Sequence, residues 1–242
     1  MKHSMLLILT ALLMAATAGW SQQTTNRELP FRMQASVPPY GLSKVKVLIS
    51  LEQRKYGKSY PNRPLPPGAY DSLLPQEKFT YAMIHPESFA QNCSLLPPQL
   101  FEKNKIFSTL ATSFYENKLS NRQVRFLKDN RDSVMEWIIQ SVDKSKKMGV
   151  NYKNAVTIIN GWEMIPYLIH HYKAVNDMDI LTTLMLLMKL GVSDDFLPTT
   201  YYEQLYGKNS NYRSAINYSA AAEQFLLKTA MGYYKKRAST KG

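Results

Sequence analysis

Proline constrains this chain more than any other residue, because a helix interior accepts it only with a kink or a break. All but two of the 13 prolines, Pro166 and Pro198, fall before residue 99. Long helices are therefore expected after residue 98, with extended or short elements before it. The stretch Tyr56 to Tyr70 (YGKSYPNRPLPPGAY) lacks an apolar period and reads as an extended, polyproline-like connector. Leu42 to Gln53 can be read two ways. Val45, Val47, Ile49 and Leu51 alternate like a strand, while Leu42, Val45, Leu48 and Ile49 share a helix face. The helix formers Glu52 to Lys55 favour the helix.

Downstream the apolar period becomes helical. Pro75 suits a first helical position ahead of Glu77, Phe79, Met83 and Ile84, and Pro86 ends that segment at His85. Pro97-Pro98 is expected to open a helix through Phe101, Ile106, Leu110 and Phe114. Ser120 to Gln123 has capping-box spacing for a helix that runs, with a break, to Lys147. Its second half puts Val134, Trp137, Ile138, Ser141 and Val142 on one face, and Gly149 marks a stop. Asn151 is read as the cap of a helix with the stripe Ala155, Ile158, Trp162, Ile165 and Ile169, kinked by Pro166 or divided at Gly161. Ile180 to Leu190 is apolar nearly all round, which places it in the middle of a helical assembly, with Gly191 as its cap. Thr199 to Tyr206 gives a short helix closed by Gly207. Asn211 is expected to cap a last long helix with Tyr218, Ala221, Ala222, Phe225, Thr229 and Tyr233 on one face. The predicted fold is all-α: stacked antiparallel helices over 75–242, preceded by a Pro-rich arm over 22–74 that contains one short helix or strand and lies across them.

The segment Ile165-Pro166-Tyr167-Leu168-Ile169, then Asp177 and Asp179, then Ile180 to Leu190 closed by Gly191, resembles one unit of a HEAT-type helical repeat. In that pattern a proline bends the first helix, an aspartate caps the turn, and the second helix is buried and ends in glycine. The likeness covers one unit, residues 165–191. It implies a binding scaffold without chemistry of its own.

The N-terminal residues bear on address. Lys2 and His3 precede an apolar run from Met5 to Met14, followed by small residues at Ala16-Thr17-Ala18 or Gly19-Trp20-Ser21. This is the pattern of a secretory signal peptide over 1–21, with the mature chain starting near Gln22 and exported to the periplasm or beyond. The run is shorter than the ~20 residues needed to cross a bilayer. Cys93 is the single cysteine, so no intrachain disulfide can form, and its distance from the cleavage region argues against a lipoprotein. Lys and Arg outnumber Asp and Glu by 30 to 18, giving a formal charge of +12. The excess gathers at Lys44, Lys46, Arg54, Lys55, Lys58 and Arg63 and again at Lys235, Lys236, Arg237 and Lys241. Anionic headgroups, acidic glycans and acidic proteins would feel that field, whereas export disfavours nucleic acid.

Candidate chemistry is sparse. Asn160, Glu163, Tyr167 and His170 recur as a polar stripe if one helix runs through them. Glu163 and His170 would then lie about 10 Å apart along the axis, too far to share an ion, so no metal and no cofactor is expected. His85 and Glu87 have the His-x-Glu spacing of zinc deaminases, but the later Pro-Cys-x-x-Cys is missing. Cys93 with His85 is a nucleophilic pair on spacing alone. The plainer reading makes His85 a helix end and Glu87 a first-turn residue of the next helix. No HExxH, Gly-x-Ser-x-Gly, phosphate loop or calcium loop occurs. The catalytic candidates are thus Glu163, His170, His85 and Glu87. Among 16 tyrosines, Tyr167, Tyr233 and Tyr234, the last two beside Lys235, Lys236 and Arg237, are the binding candidates. The leading expectation is an exported, non-enzymatic binding or scaffold protein of a bacterial envelope. Its partner would be an envelope protein or acidic glycan, or an anionic membrane surface met by the Lys235 to Lys241 tail. The alternative is a helical hydrolase or lyase acting on glycan through Glu163 or Glu87 with Tyr167.

Overall fold

The computed structural model describes residues 31–56, 62–89, 102–112 and 117–240. The expected signal peptide, Cys93 and the Pro97-Pro98 start lie outside them. Within the described residues the fold is all-α, with ten α-helices and two short strand pairs. The helices are α1 (Leu42–Tyr56), α2 (Pro67–Asp71), α3 (Pro75–Ile84), α4 (Asn121–Asp129), α5 (Arg131–Ser145), α6 (Val150–Ile158), α7 (Ile165–Val175), α8 (Met178–Leu190), α9 (Thr200–Tyr206) and α10 (Ala220–Ser239). No helix among the described residues is long and apolar enough to cross a membrane.

The core is built around α8, as its all-round apolar surface requires. Ile180, Leu181, Leu184, Met185, Leu187 and Met188 are fully buried, enclosed by α6, α7 and α10 and by strand β2 (Lys105–Phe107). At about 1.5–3 kcal/mol each, these side chains contribute on the order of 10 kcal/mol of burial. Thr182 and Thr183 are buried as well, and their hydroxyls donate to the carbonyls of Phe107 (3.0 Å) and Asp179 (2.7 Å). Asp177 caps the helix by accepting from the Asp179 N–H at 3.0 Å. On α5 the expected face, Val134, Trp137, Ile138, Ser141 and Val142, is buried, and Asn130 is the break that separates α5 from α4.

Several local expectations fail for reasons of tertiary contact. Ile106 is not helical: β2 pairs antiparallel with β4 (Ala215–Asn217), Ile106 opposite Ile216. The i+4 spacing from Ile106 to Leu110 imitated a helix, but the partner strand lies over a hundred residues away and supplies the backbone hydrogen bonds instead. The same pairing removes Asn211 as a helix cap. Residues 211–214 form a turn into β4, and Ser219 caps α10 by accepting from Ala222 N at 3.1 Å. The buried face of α10 is accordingly Ala222, Leu226, Ala230 and Tyr233. The connector over 56–70 ends in the single helical turn α2, which Pro67 opens. Glu87 is not in a helix either: β1 (Ser88–Phe89) follows it and pairs with β3 (Asn117–Lys118).

Gly149, not Asn151, is the N-cap of α6, and this difference seats the N-terminal arm. Asn151 turns inward, its amide accepting from Ser36 N (2.9 Å) and donating to the carbonyls of Ser36 (2.7 Å) and Met83 (3.1 Å). The Ser36 backbone lies so close to Gly149 that a Cβ there would collide with it. Upstream, Arg32 is buried and donates through Nε to Asp179 (2.9 Å) and through Nη2 to the Thr109 carbonyl (3.1 Å). The arm is thus fastened to α8 and α6.

Candidate functional site

A recess of mixed polar and apolar character, about 740 Å³, opens between the start of α5, the turn joining α6 to α7, the loop after α8, and the last turns of α10. Each wall has a local cause. Helix α6 stops because Asn160 takes a left-handed conformation (φ 47°), which asparagine tolerates better than most residues. The carbonyls freed at that end are taken by Arg131, whose Nε reaches Ile159 O (3.0 Å) and whose Nη2 reaches Asn160 O (2.8 Å). The same guanidinium grips both carboxylate oxygens of Glu163.

Across the recess α8 ends at Gly191, and Val192 is left-handed (φ 53°) although β-branched. That conformation costs roughly 1–2 kcal/mol, and Val192 is 68% exposed, so no packing of its own offsets the strain. The turn carries Ser193 inward to 3% exposure, followed by Asp194 and Asp195 at the rim.

The third wall comes from Tyr233, Lys236 and Arg237, which share a face of α10 through i, i+3 and i+4 spacing. Tyr233 lies against Gly191, where any Cβ would meet its hydroxyl. Arg237 Nη1 donates to that hydroxyl at 2.6 Å, and its guanidinium sits 5.1 Å from the ring of Trp162. Lys236 pairs with Asp194 at 2.7 Å, and this bond holds the exposed Asp194 carboxyl below its ordinary range.

Four groups are left over. The buried Ser193 Oγ and Asn160 Oδ1 have no hydrogen-bond partner among the described residues. Arg237 and Asp195 form no ion pair among them. Buried polar atoms are nearly always satisfied, so two orphans in one recess, beside two left-handed residues, call for a reason.

The remaining candidates are placed elsewhere. Because the α6–α7 interruption breaks the expected stripe, Glu163 faces the recess while Tyr167 points to α5. The Tyr167 hydroxyl donates to Asp143 at 2.8 Å, its ring lies parallel to His171, and burial with the Asp143 charge pushes its pKa above the ordinary value. His170 is exposed. Tyr234 packs 5.9 Å from Trp162, and Lys235 is exposed.

His85 and Glu87 belong to a separate network. The buried Glu87 carboxylate accepts from Tyr81 (2.8 Å), Ser120 and Arg122, whose Nη2 also reaches Leu65 O (2.7 Å). Burial raises the Glu87 pKa, but the hydrogen bonds from Arg122, Ser120 and Tyr81 outweigh it and leave the group below its usual range. His85 Nε2–H donates to Arg63 O at 2.8 Å, and burial lowers its pKa, keeping the ring neutral. The network ties residues 63–65, the end of α3 and the start of α4 together, and its acceptors and donors are spent on that task.

No family model, curated protein or solved structure matches the chain.

Of the recess, Glu163, Tyr233, Lys236 and Arg237 are legible in the sequence as candidates. Arg131, Trp162, Ser193 and Asp195 are not. A signal for them did exist: Asn160-Gly161 is a turn dipeptide inside an apolar stripe, and Ser193-Asp194-Asp195 directly follows a helix-ending glycine.

Proposed function

We propose that this chain is an exported, non-enzymatic binding protein of a bacterial envelope, and that its ligand seats in the recess between α10 and the two left-handed turns. The observation that carries the reading is the meeting along that recess of Ser193 Oγ and Asn160 Oδ1, which have no hydrogen-bond partner among the described residues, with Arg237, which bonds Tyr233 but has no carboxylate partner among them. Its volume lies within the ~300–1,000 Å³ of small-ligand sites. The basic start, apolar run and small residues of 1–21 support export. The helical-repeat likeness of α7 and α8 accords with a scaffold, since the buried α8 gives the 191–195 loop a rigid base.

The glycan-cleaving alternative has less support. Such chemistry needs one carboxyl kept protonated. Glu163 and Asp194 each hold a cation, and the Arg122 network favours ionised Glu87. A membrane-surface role has less support because Lys236 is paired with Asp194 and Arg237 lies over Trp162, so two cations of the basic run already have partners within the chain.

The test is equilibrium binding of soluble envelope glycans and peptides to the purified chain, with chemical analysis of each ligand afterwards. Binding of an unaltered ligand, lost in Arg237→Gln and Asp195→Asn together, is the expected result. Turnover abolished by Glu163→Gln would overturn the reading.

A further inference from the structure

We infer that the recess, read as a ligand site, takes a short dipolar peptide that carries a free carboxylate and an ammonium group. Three cations (Arg131, Lys236, Arg237) and three carboxylates (Glu163, Asp194, Asp195) line the recess. Two of each are consumed in the pairs Arg131–Glu163 and Lys236–Asp194. One guanidinium, Arg237, and one carboxylate, Asp195, remain without an ion-pair partner among the described residues, Asp195 acting on Lys236 only through space. The complement of that remainder is one negative and one positive group on the same neutral ligand. A polyanionic chain would instead meet Asp194 and Asp195, both exposed at the rim.

The chemistry of each free group narrows the ligand further. Arg237 spends one N–H on Tyr233 and keeps four, enough for the two parallel bonds of a carboxylate. Asp195 is acceptor-only when ionised, which suits an ammonium. Asn160 Oδ1 needs a donor, and the Ser193 hydroxyl both donates and accepts. An extended peptide residue turns its own N–H and carbonyl to the same edge, the donor that Asn160 Oδ1 needs and an acceptor for the Ser193 hydroxyl. Sugar recognition by ring stacking is disfavoured, because Arg237 already covers Trp162, itself only 4% exposed.

The same dipole occurs at the C-terminus of a lysine-bearing protein segment and in the stem peptides of a cell-wall polymer. The experiment is calorimetric titration of the full chain with a synthetic Ala-Lys-Ala tripeptide, N-acetylated so that its lysine is the only ammonium. Its C-terminal amide and its lysine-acetylated form are titrated in parallel. The free peptide binds, and amidation or lysine acetylation each weakens binding tenfold or more. Arg237→Gln abolishes the discrimination against the amide and retains that against acetyl-lysine, while Asp195→Asn does the reverse. Because each variant retains one discrimination, unfolding cannot produce this pattern. Separate titrations with soluble wall fragments and with protein C-terminal peptides then assign the source by whichever binds tighter.

Equal binding of acid and amide, or no binding of any tripeptide, overturns the inference. If an acidic oligosaccharide binds instead and Arg237→Gln removes it, the recess is still a ligand site and the peptide assignment alone falls. If a probe is cleaved, the non-enzymatic reading falls with it.

Discussion

Replacing Arg32 by Met removes the bond that fastens the N-terminal arm to the central helix. The Arg32 and Asp179 side chains are only 3% and 2% exposed, and they meet at 2.8 Å. Removing one member of such a pair leaves the other charge buried, at a cost of about 3–5 kcal/mol. Arg32 also satisfies the Thr109 carbonyl and stacks 4.0 Å over Phe107, adding roughly 1–2 kcal/mol that a flexible Met recovers in part. Lys153 opposes the loss through space, although its ammonium is engaged by Asp177. The expected net loss is about 4 kcal/mol, or about 8–16 °C in Tm for a domain of this size. Its pH dependence has a definite sign. Burial raises the Asp179 pKa above the ordinary value, and Lys153 and Arg32 pull it back. Without Arg32 it rises further. A carboxyl with a raised folded pKa favours the fold at low pH and loses that contribution as pH rises through the folded value. The deficit of Arg32→Met therefore shrinks on acidification from pH 8 to pH 5. Urea unfolding followed by circular dichroism at both pH values measures this, and the double variant Arg32→Met/Asp179→Leu should recover most of the loss. A single-variant loss under 1 kcal/mol, or a double variant as unstable as the summed singles, would refute the latch.

Three further changes probe other parts of the argument. Val192→Gly should raise stability by about 1 kcal/mol in urea unfolding, since it relieves a left-handed valine that packs little; a loss would mean the turn is unstrained. Glu87→Gln should cost about 2–3 kcal/mol at pH 7 by leaving Arg122 without its counter-charge. The Glu87 contribution exists above its unfolded pKa and is lost as pH falls through its lower folded one, so the gap between the two proteins should narrow as the pH falls below the ordinary glutamate range. Gly149→Ala drives a methyl into the Ser36 backbone and should release the arm, seen as new proteolytic cleavage around residues 31–40 with the helical signal largely retained; an unchanged digest would contradict the seating described.

The parts of the fold that were legible in the sequence are those whose cause is local. Helix α8 is apolar on every side and could only be central. Pro75, Pro86, Ser120 and Gly207 act within one turn of themselves, and each marks the boundary expected of it. The failures are non-local. Ile106 belongs to a strand because of Ile216, and Asn151 is turned inward because Ser36 arrives from the arm. The recess divides the same way. Tyr233, Lys236 and Arg237 are visible as an aromatic and basic run, but the orphaned Ser193 hydroxyl opposite them exists only once two helix ends meet. An unbroken helix would group Tyr167 and His170 with Glu163, but the chain turns at the left-handed Asn160 and Glu163 lies in the 3-10 turn Trp162–Met164 ahead of α7, which carries the other two.

The central claim is that the recess beside α10 holds a ligand without transforming it. Its most direct measurement is capture of bacterial envelope components by the purified chain and by Arg237→Gln/Asp195→Asn at high salt, with mass spectrometry of what is retained. The expected result is a component that the original chain retains chemically unaltered and the double variant loses. A component held equally by both proteins, or recovered only as cleavage products, would contradict it.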